Sequence, residues 1–436
     1  MIHICIGIGI LCILLVVGIP VMYCFGTALI YYSITLGYTA TGIFPTMYGK
    51  LSSVVLLSIP LFIIAGKIME HGRIGDALVD FIEMFIGKIK GSIAIMTTVA
   101  CSVFGAICGS GAATLSCIGS IMIPKMREKK YPMEIAAAVT CTSAPLGMLI
   151  PPSSLMIVAA WCSNLSVLAC FLSTLIPGII LTIFISIVSY FMLRKRDIEF
   201  GTTGMEGKSL GEVIVPRTKH ALPALLMPVL ILGGIYGGFM TATEAAAVAA
   251  LYSIPVAVFI YKGTTIRGLK NVFMDGARTT GTVMVMVVMT MALGQILTME
   301  NVPTALLGVL TSISENKNVI LLMINLFLVL IGMIMDDTCA MMLCTPLLVP
   351  IGIKLGVSPY HMCAILGVNI GMGNVTPPTA PFLYMASGIA GISAGRVMKY
   401  VFLIILFAYV PTLLLTTYIP ALSTWLPSVV LGTKIL

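Results

Sequence analysis

Two Pro-Pro pairs, Pro151-Pro152 in SAPLGMLIPPSSL and Pro377-Pro378 in IGMGNVTPPTAPF, interrupt apolar runs at the same offset in two halves of the chain. They stand 226 residues apart (377 − 151), and further identities keep that register: Pro124 with Pro350, Ala138 with Ala364, and Gly147 with Gly373. Proline removes a backbone donor and turns the preceding residue away from helical geometry, so each pair marks a broken helix. Two breaks in one register describe a duplicated unit. Interrupted helices in matching positions are the sequence pointer to a transporter site at a repeat interface.

The solvent follows from composition. Of the 436 residues, 59% are hydrophobic and only 9% charged, with a mean hydropathy of +1.11. A soluble domain carries roughly 25% charged residues, so the soluble class is excluded. Long Leu/Ile/Val/Met runs without strand alternation favour a helical bundle over an outer-membrane barrel. At ~20 residues per crossing there is room for a dozen or more spans and half-spans. The net charge of +8 comes from basic residues in short loops between apolar runs. That is the pattern of cytoplasmic loops, not of a nucleic-acid surface. Twelve cysteines lie scattered in apolar segments without a CxxC or a Cys/His metal pattern, and read as small core residues. Met1–Pro20 lacks a basic n-region and a convincing cleavage site, so it reads as the start of a retained helix.

The first repeat is expected over 1–193. Within it, Glu70–Lys90 reads as an amphipathic stretch at the interface, and 92–128 as a re-entrant hairpin with GSGAAT (109–114) at its tip. The helix from about Pro132 breaks at GMLIPPSS and resumes to about Phe171. Residues 194–220, with Arg194, Lys195, Arg196, Lys208, Arg217 and Lys219, form the expected cytoplasmic loop between repeats. The second repeat, 221–425, has expected spans at 221–240 and 242–261, an amphipathic stretch Thr264–Arg278, and a span at 280–298. A hairpin at 319–355 follows, with MDDTCAM (335–341) at its tip, then a break at GMGNVTPPTA, a last span from near Arg396, and a tail at 426–436. The first hairpin base (124–131) holds four basic residues and the second (350–361) only Lys354, so the hairpins open to opposite faces. The expected fold is an all-α polytopic membrane protein of inverted repeats, with two re-entrant helical hairpins and two broken helices.

Helix breaks in a bilayer leave backbone groups that only protein, water or a ligand satisfies. Half-helix N-termini attract carboxylates, and C-terminal carbonyls suit Na+. Candidate substrate ligands are Ser110, Gly111, Thr114, Ser153, Asn374, Thr376 and Thr379. Candidate Na+ ligands are Gly109, Ser110, Ser143, Gly147, Asp336, Asn369 and Gly373, with Pro151, Pro152, Pro377 and Pro378 as the helix breakers. An isolated glycine or serine would serve helix packing, whereas polar, glycine-bearing breaks in matched pairs point to a site. Asp336 and Asp337 are the sharpest charges in an apolar hairpin, and Asp336 equally suits a helix N-cap. Glu244 is expected to cap a helix with Thr241 or Thr243, Lys67 to snorkel, and Arg278 and Asp275 to lie at the interface. The breaks contain no Arg or Lys.

These stretches resemble the large membrane subunit of TRAP (tripartite ATP-independent periplasmic) transporters, nearly end to end. The similarity runs through GIPVMYCFG (18–26), SIPLFIIAGKIM (58–69), GSGAATLSCIGSIMIPKM (109–126) and TLIPGIIL (174–181). It continues in GGFMTATEAAAVAALY (237–252), GMIMDDTCAMMLCTPLLVP (332–350) and NIGMGNVTPPTAPFLYMASGI (369–389). The resemblance implies a Na+-driven secondary transporter of organic acids, often dicarboxylates or sialic acids, in the bacterial inner membrane. It implies an elevator fold, a small four-helix membrane partner and a periplasmic substrate-binding protein. It also implies that Asp336 fills the family's acidic position, with Ser110, Asn369 and Thr376 on polar motif positions. The chain departs from the family pattern at Cys108 and Gly111, where serines are common, and at Ala380, where glycine is. Rival readings are a stand-alone carboxylate transporter, a passive pore, and an intramembrane hydrolase using Ser110 and His361. For the last, Ser110 lies in no GxSxG run and the sequence has no HExxH run.

Overall fold

Apolar runs in lipid must satisfy their backbone internally, and here they do so as helices. The computed structural model describes residues 2–38, 40–86, 91–196, 198 and 210–432, and among these there is no strand. Eight helices are long and apolar enough to cross a bilayer, and a bent pair, Met133–Leu149 with Ser154–Cys162, supplies a ninth at a 45° break. Outward-facing Ile183, Val229, Leu326 and Phe407 give the molecule a lipid-facing surface. The protein is a multi-pass membrane protein.

The 226-residue register is written into the element boundaries. The second arm of the first hairpin, Gly111–Glu128, maps end to end onto that of the second, Asp337–Lys354 (111 + 226 and 128 + 226). The first arms, Ser92–Cys108 and Lys317–Ile334, end on corresponding residues. Met133, which opens the first broken helix, corresponds to Pro359, which opens the second, Pro359–Gly373. The long helix Val167–Leu193 corresponds to Ala394–Tyr418.

Two groups of helices pack against each other. In one, Ser58–His71 packs against Ala242–Pro255 and Ile266–Met299, and Ile266–Met299 also packs on the second hairpin arm, Asp337–Lys354. The alanine run of the second helix allows close approach: Ala245, Ala246 and Ala249 are buried, and Thr241 with Glu244 closes a capping box at its start. The other group holds both hairpins and both broken helices. Here the half-helices are exchanged between repeats: Ser154–Cys162 packs on Asp337–Lys354, while Pro381–Ala390 packs on Gly111–Glu128. That reciprocity is the mark of two repeats related by a pseudo-two-fold axis. The interfacial helix Ile74–Ile86 is tied to the first hairpin base by Lys125, which lies 3.3 Å from Glu83 and 3.6 Å from Asp80.

Several expectations change. Thr264–Arg278 and 280–298 are one continuous helix, Ile266–Met299, about 51 Å long at 1.5 Å per residue. Its counterpart in the first repeat is interrupted because Ser53 is extended and Val54–Leu57 tightens into a 3-10 turn. The helix resuming after Pro151-Pro152 ends at Cys162 rather than near Phe171. Part of the 194–220 loop is helical, since Leu210–Tyr236 begins inside it; 199–209, including Lys208, lie outside the described residues. The expected tail at 426–436 is helical to Leu431, and 433–436 also lie outside the described residues.

Candidate functional site

Each hairpin tip is a helix start. Ser110 is the N-cap of Gly111–Glu128 and accepts from the Ala113 amide at 3.5 Å. Asp336 is the N-cap of Asp337–Lys354, accepting from the Thr338 amide at 3.3 Å, with Asp337 accepting from the same amide at 2.7 Å. Ser110 and Asp336 stand 226 residues apart, so the repeats place a neutral and an ionisable cap in equivalent positions.

Each Pro-Pro break is laced to the hairpin tip of its own repeat. The Ser154 amide and hydroxyl donate to the Gly109 carbonyl at 3.2 and 2.8 Å. Thr379 does the same to the Met333 carbonyl, its hydroxyl at 2.5 Å and its amide at 3.4 Å. Gly109 adopts φ 64°, and a Cβ there would meet the Pro152 carbonyl oxygen at 2.5 Å, so glycine is required. Pro151-Pro152 and Pro377-Pro378 are both cis. Behind the tips, each first arm crosses its broken helix glycine on glycine: Gly105 against Gly147, and Gly332 against Gly373. Neither Gly105 nor Gly332 was singled out by the sequence reading.

Together these elements enclose a cavity of about 250 Å³. Its wall includes Ser110 and Ala112 of one hairpin, Asp336, Asp337 and Thr338 of the other, and Ser154 and Pro381-Phe382 of the two half-helices. The N-termini of four helices therefore converge on one space. Asn374, the C-cap of Pro359–Gly373, also lines it, and its buried side-chain oxygen has no hydrogen-bond partner. Asp336 is exposed to the cavity. A second cavity of about 270 Å³ adjoins it through Phe62, Cys108, Ser110, Thr279 and Met385.

Not every sequence candidate reaches this space. Thr114 is buried beneath the tip, its hydroxyl donating to the Ser110 carbonyl at 2.8 Å. Ser153 caps Ser154–Cys162, and its hydroxyl is held by the Met148 carbonyl. Ser143 donates to Thr98 at 3.0 Å inside the helix packing. Gly147 and Gly373 serve the glycine crossings. Thr376 donates to the Met372 carbonyl at 2.7 Å and faces a separate lateral cleft with Met398 and Phe402. Asn369 joins a buried chain in which its amide donates to Asn325 at 2.9 Å, and Asn325 donates to Thr417 at 2.9 Å. The Asn369 side-chain oxygen is left without a partner. Thr379 is committed to its hairpin. Ala380 adopts φ 31°, the left-handed region that favours glycine.

Two residues come out differently. Lys67, expected to snorkel, lines the adjoining cavity and pairs with Glu70 at 2.9 Å. His361 is buried against the Thr416 carbonyl at 2.7 Å and lines neither cavity around Ser110, which removes the base from the hydrolase reading.

Residues 8–422 match the family described as Tripartite ATP-independent periplasmic transporter, DctM component. The chain is similar to the C4-dicarboxylate TRAP transporter large permease protein DctM of Pseudomonas aeruginosa, 34% identical over 86% of each chain. It is similar to the isethionate TRAP transporter permease protein DctMQ of Oleidesulfovibrio alaskensis, 33% identical over 95% of this chain, and spans 65% of that protein's length. The sialic acid TRAP transporter large permease protein SiaM of Vibrio cholerae is 31% identical over 88% of this chain and 89% of its own. These relatives are permeases, not enzymes. Among solved structures, the Alcanivorax borkumensis YdaH transporter has a similar fold, with a TM-score of 0.61 over 91% of this chain and 90% of that one at 14% identity.

Proposed function

Because the chain belongs to the DctM-component family of tripartite ATP-independent periplasmic transporters, we propose that it is the large permease of an inner-membrane secondary transporter driving uptake of a small organic acid with Na+. The observation that carries this reading is the convergence of four helix N-termini and the two carboxylates of Asp336 and Asp337 on one cavity. A helix N-terminus stabilises a nearby anion by ~0.3–1 kcal/mol, and up to ~2 when partly buried. Four of them make a bed for a carboxylate.

The aspartates supply the coupling. An anion entering beside Asp336 and Asp337 meets like charge, and in a cavity of low polarity that repulsion is strong. A Na+ bound first cancels it, so substrate affinity depends on the ion. The residues present fit such an ion: the unpartnered side-chain oxygen of Asn374 is a buried oxygen ligand on the cavity wall, and Asp336 on the same wall offers charge. Among the described residues, no group of three or more His, Cys, Asp or Glu would hold a transition metal. Each Na+ charge moving inward gains ~2.3 kcal/mol per 100 mV of membrane potential.

The relatives are named for C4-dicarboxylates, sialic acid and isethionate; all are small organic anions. The substrate class is accordingly a dicarboxylate, a sialic acid or a related carboxylate. A small four-helix membrane subunit and a periplasmic binding protein that delivers the ligand complete the system. The repeats 1–193 and 221–425 act as an elevator, with the hairpin body sliding against the body built around Ser58–His71 and Ile266–Met299. Uptake by Asp336→Asn and Pro377→Ala, normalised to the protein in the membrane, tests this. Both variants insert but lose uptake by at least about tenfold: Asp336→Asn on the scale of one lost charge-assisted hydrogen bond, and Pro377→Ala because the helix break loosens. Wild-type uptake by both would overturn the site.

A further inference from the structure

Among the described residues that line the two adjoining cavities, the cationic side chain is Lys67. It stands on Ser58–His71 one residue after Gly66, which packs directly against Cys108 at the first hairpin tip. Its ammonium lies 2.9 Å from one oxygen of Glu70, while the other oxygen accepts from Ser116 at 2.5 Å. Ser116 belongs to the hairpin arm Gly111–Glu128, so this cluster joins the two groups of helices. The Lys67 side chain is 28% exposed and that of Glu70 15%, which places the pair inside the cavity mouth rather than in open solvent.

An ion pair in that position adds little net stability, because desolvation consumes most of the attraction. What it does provide is a cation that can change partners. Glu70 keeps the Ser116 hydroxyl when Lys67 leaves, so it is not stranded. A long, flexible lysine stem reaches several positions from one backbone site.

We propose that Lys67 is a specificity-determining residue: it pairs with Glu70 until substrate arrives, then turns to a second group of the substrate, a carboxylate or a neutral oxygen acceptor, that extends beyond the helix N-termini. This rests on the transport function proposed above. The cavity would then read a substrate at two ends, with one carboxylate on the helix N-termini near Ser110 and Asp336 and the other group on Lys67.

The test is uptake kinetics in cells that carry the chain with its membrane subunit and periplasmic receptor, using succinate, N-acetylneuraminate and isethionate as probes. For whichever probe the wild type takes up, Lys67→Gln raises the apparent KM about tenfold or more, and Lys67→Arg restores most of it. Glu70→Gln, which releases the ammonium, lowers KM. A purely structural ion pair gives the opposite pattern: Lys67→Gln and Glu70→Gln lose uptake alike, and the charge-swapped K67E/E70K recovers it. That result, or an unchanged KM in Lys67→Gln, overturns the inference while leaving the transport function standing. If Lys67→Gln does not reach the membrane, Glu70→Gln decides alone, and an unchanged or raised KM is the contradicting outcome. Uptake of none of the three probes by the wild type overturns the proposed function, and this inference with it.

Discussion

Ser153 and Asn374 show how differently two polar residues beside a helix break can behave. Ser153 spends its hydroxyl on the Met148 carbonyl and its oxygen on the Met156 amide, 3.3 Å away. Ser153→Ala therefore removes a helix cap and costs ~0.5–2 kcal/mol, read as a lower melting temperature in detergent, while uptake per folded molecule stays near wild type. Asn374 has a buried side-chain oxygen that nothing satisfies. Asn374→Ala keeps stability within about 0.5 kcal/mol, since no hydrogen bond to that oxygen is lost, but shifts the Na+ dependence of uptake to higher concentration. A flat Na+ profile shift would remove Asn374 from the ion site. Composition and spacing identified both residues. They could not say which faced the cavity, because short hydroxyl and amide side chains bind their own backbone as readily as a ligand. The cavity position of Lys67 was hidden for a related reason: a lone lysine at a helix end reads as interfacial, and Ser116, which ties its partner Glu70 to the hairpin, lies 46 residues from Glu70.

Elements set the positions of these side chains through contacts too close for a side chain to intervene. A Cβ on Gly147 would meet the Thr114 hydroxyl and, at 2.9 Å, the Ser110 carbonyl; one on Gly373 would press into the backbone of Gly332. Gly147→Ala and Gly373→Ala each cost roughly 1–3 kcal/mol as overpacked variants, visible as reduced folded yield. Ala380→Gly has the opposite sign. It relieves a left-handed alanine and raises stability by about 1 kcal/mol, measurable as a higher melting temperature; a lower one would contradict the conformation of the second break. Gly147 and Gly373 were legible because they share the 226-residue register. Their partners were not, since Gly105 and Gly332 are one residue out of it. The continuous helix Ile266–Met299 also escaped the sequence reading, because its polar first half carries the same signal as an interfacial segment.

At the scale of the molecule, the duplication was legible from the prolines alone, since a break at one depth in two copies leaves a register that apolar drift does not erase. The exchange of half-helices between repeats was not legible, as no linear pattern records which hairpin a half-helix packs upon. That exchange is what brings both tips to one cavity, where the proposed ion and substrate sites are contiguous. Replacing KCl by NaCl should thus stabilise the purified protein against heat, by as much as ~2.7 kcal/mol at 100 times the dissociation constant. Asp336→Asn should abolish that difference, and an equal response to both salts would place Na+ elsewhere. The most direct measurement is uptake of a labelled organic acid into proteoliposomes containing the permease and its membrane subunit, with receptor outside and an imposed inward Na+ gradient. The account predicts accumulation above the external concentration, stronger with a negative interior and lost when Na+ is equal on both sides with no potential imposed, or when Asp336 is Asn. Uptake that merely equilibrates the acid, or accumulates it equally with K+ in place of Na+, would contradict it.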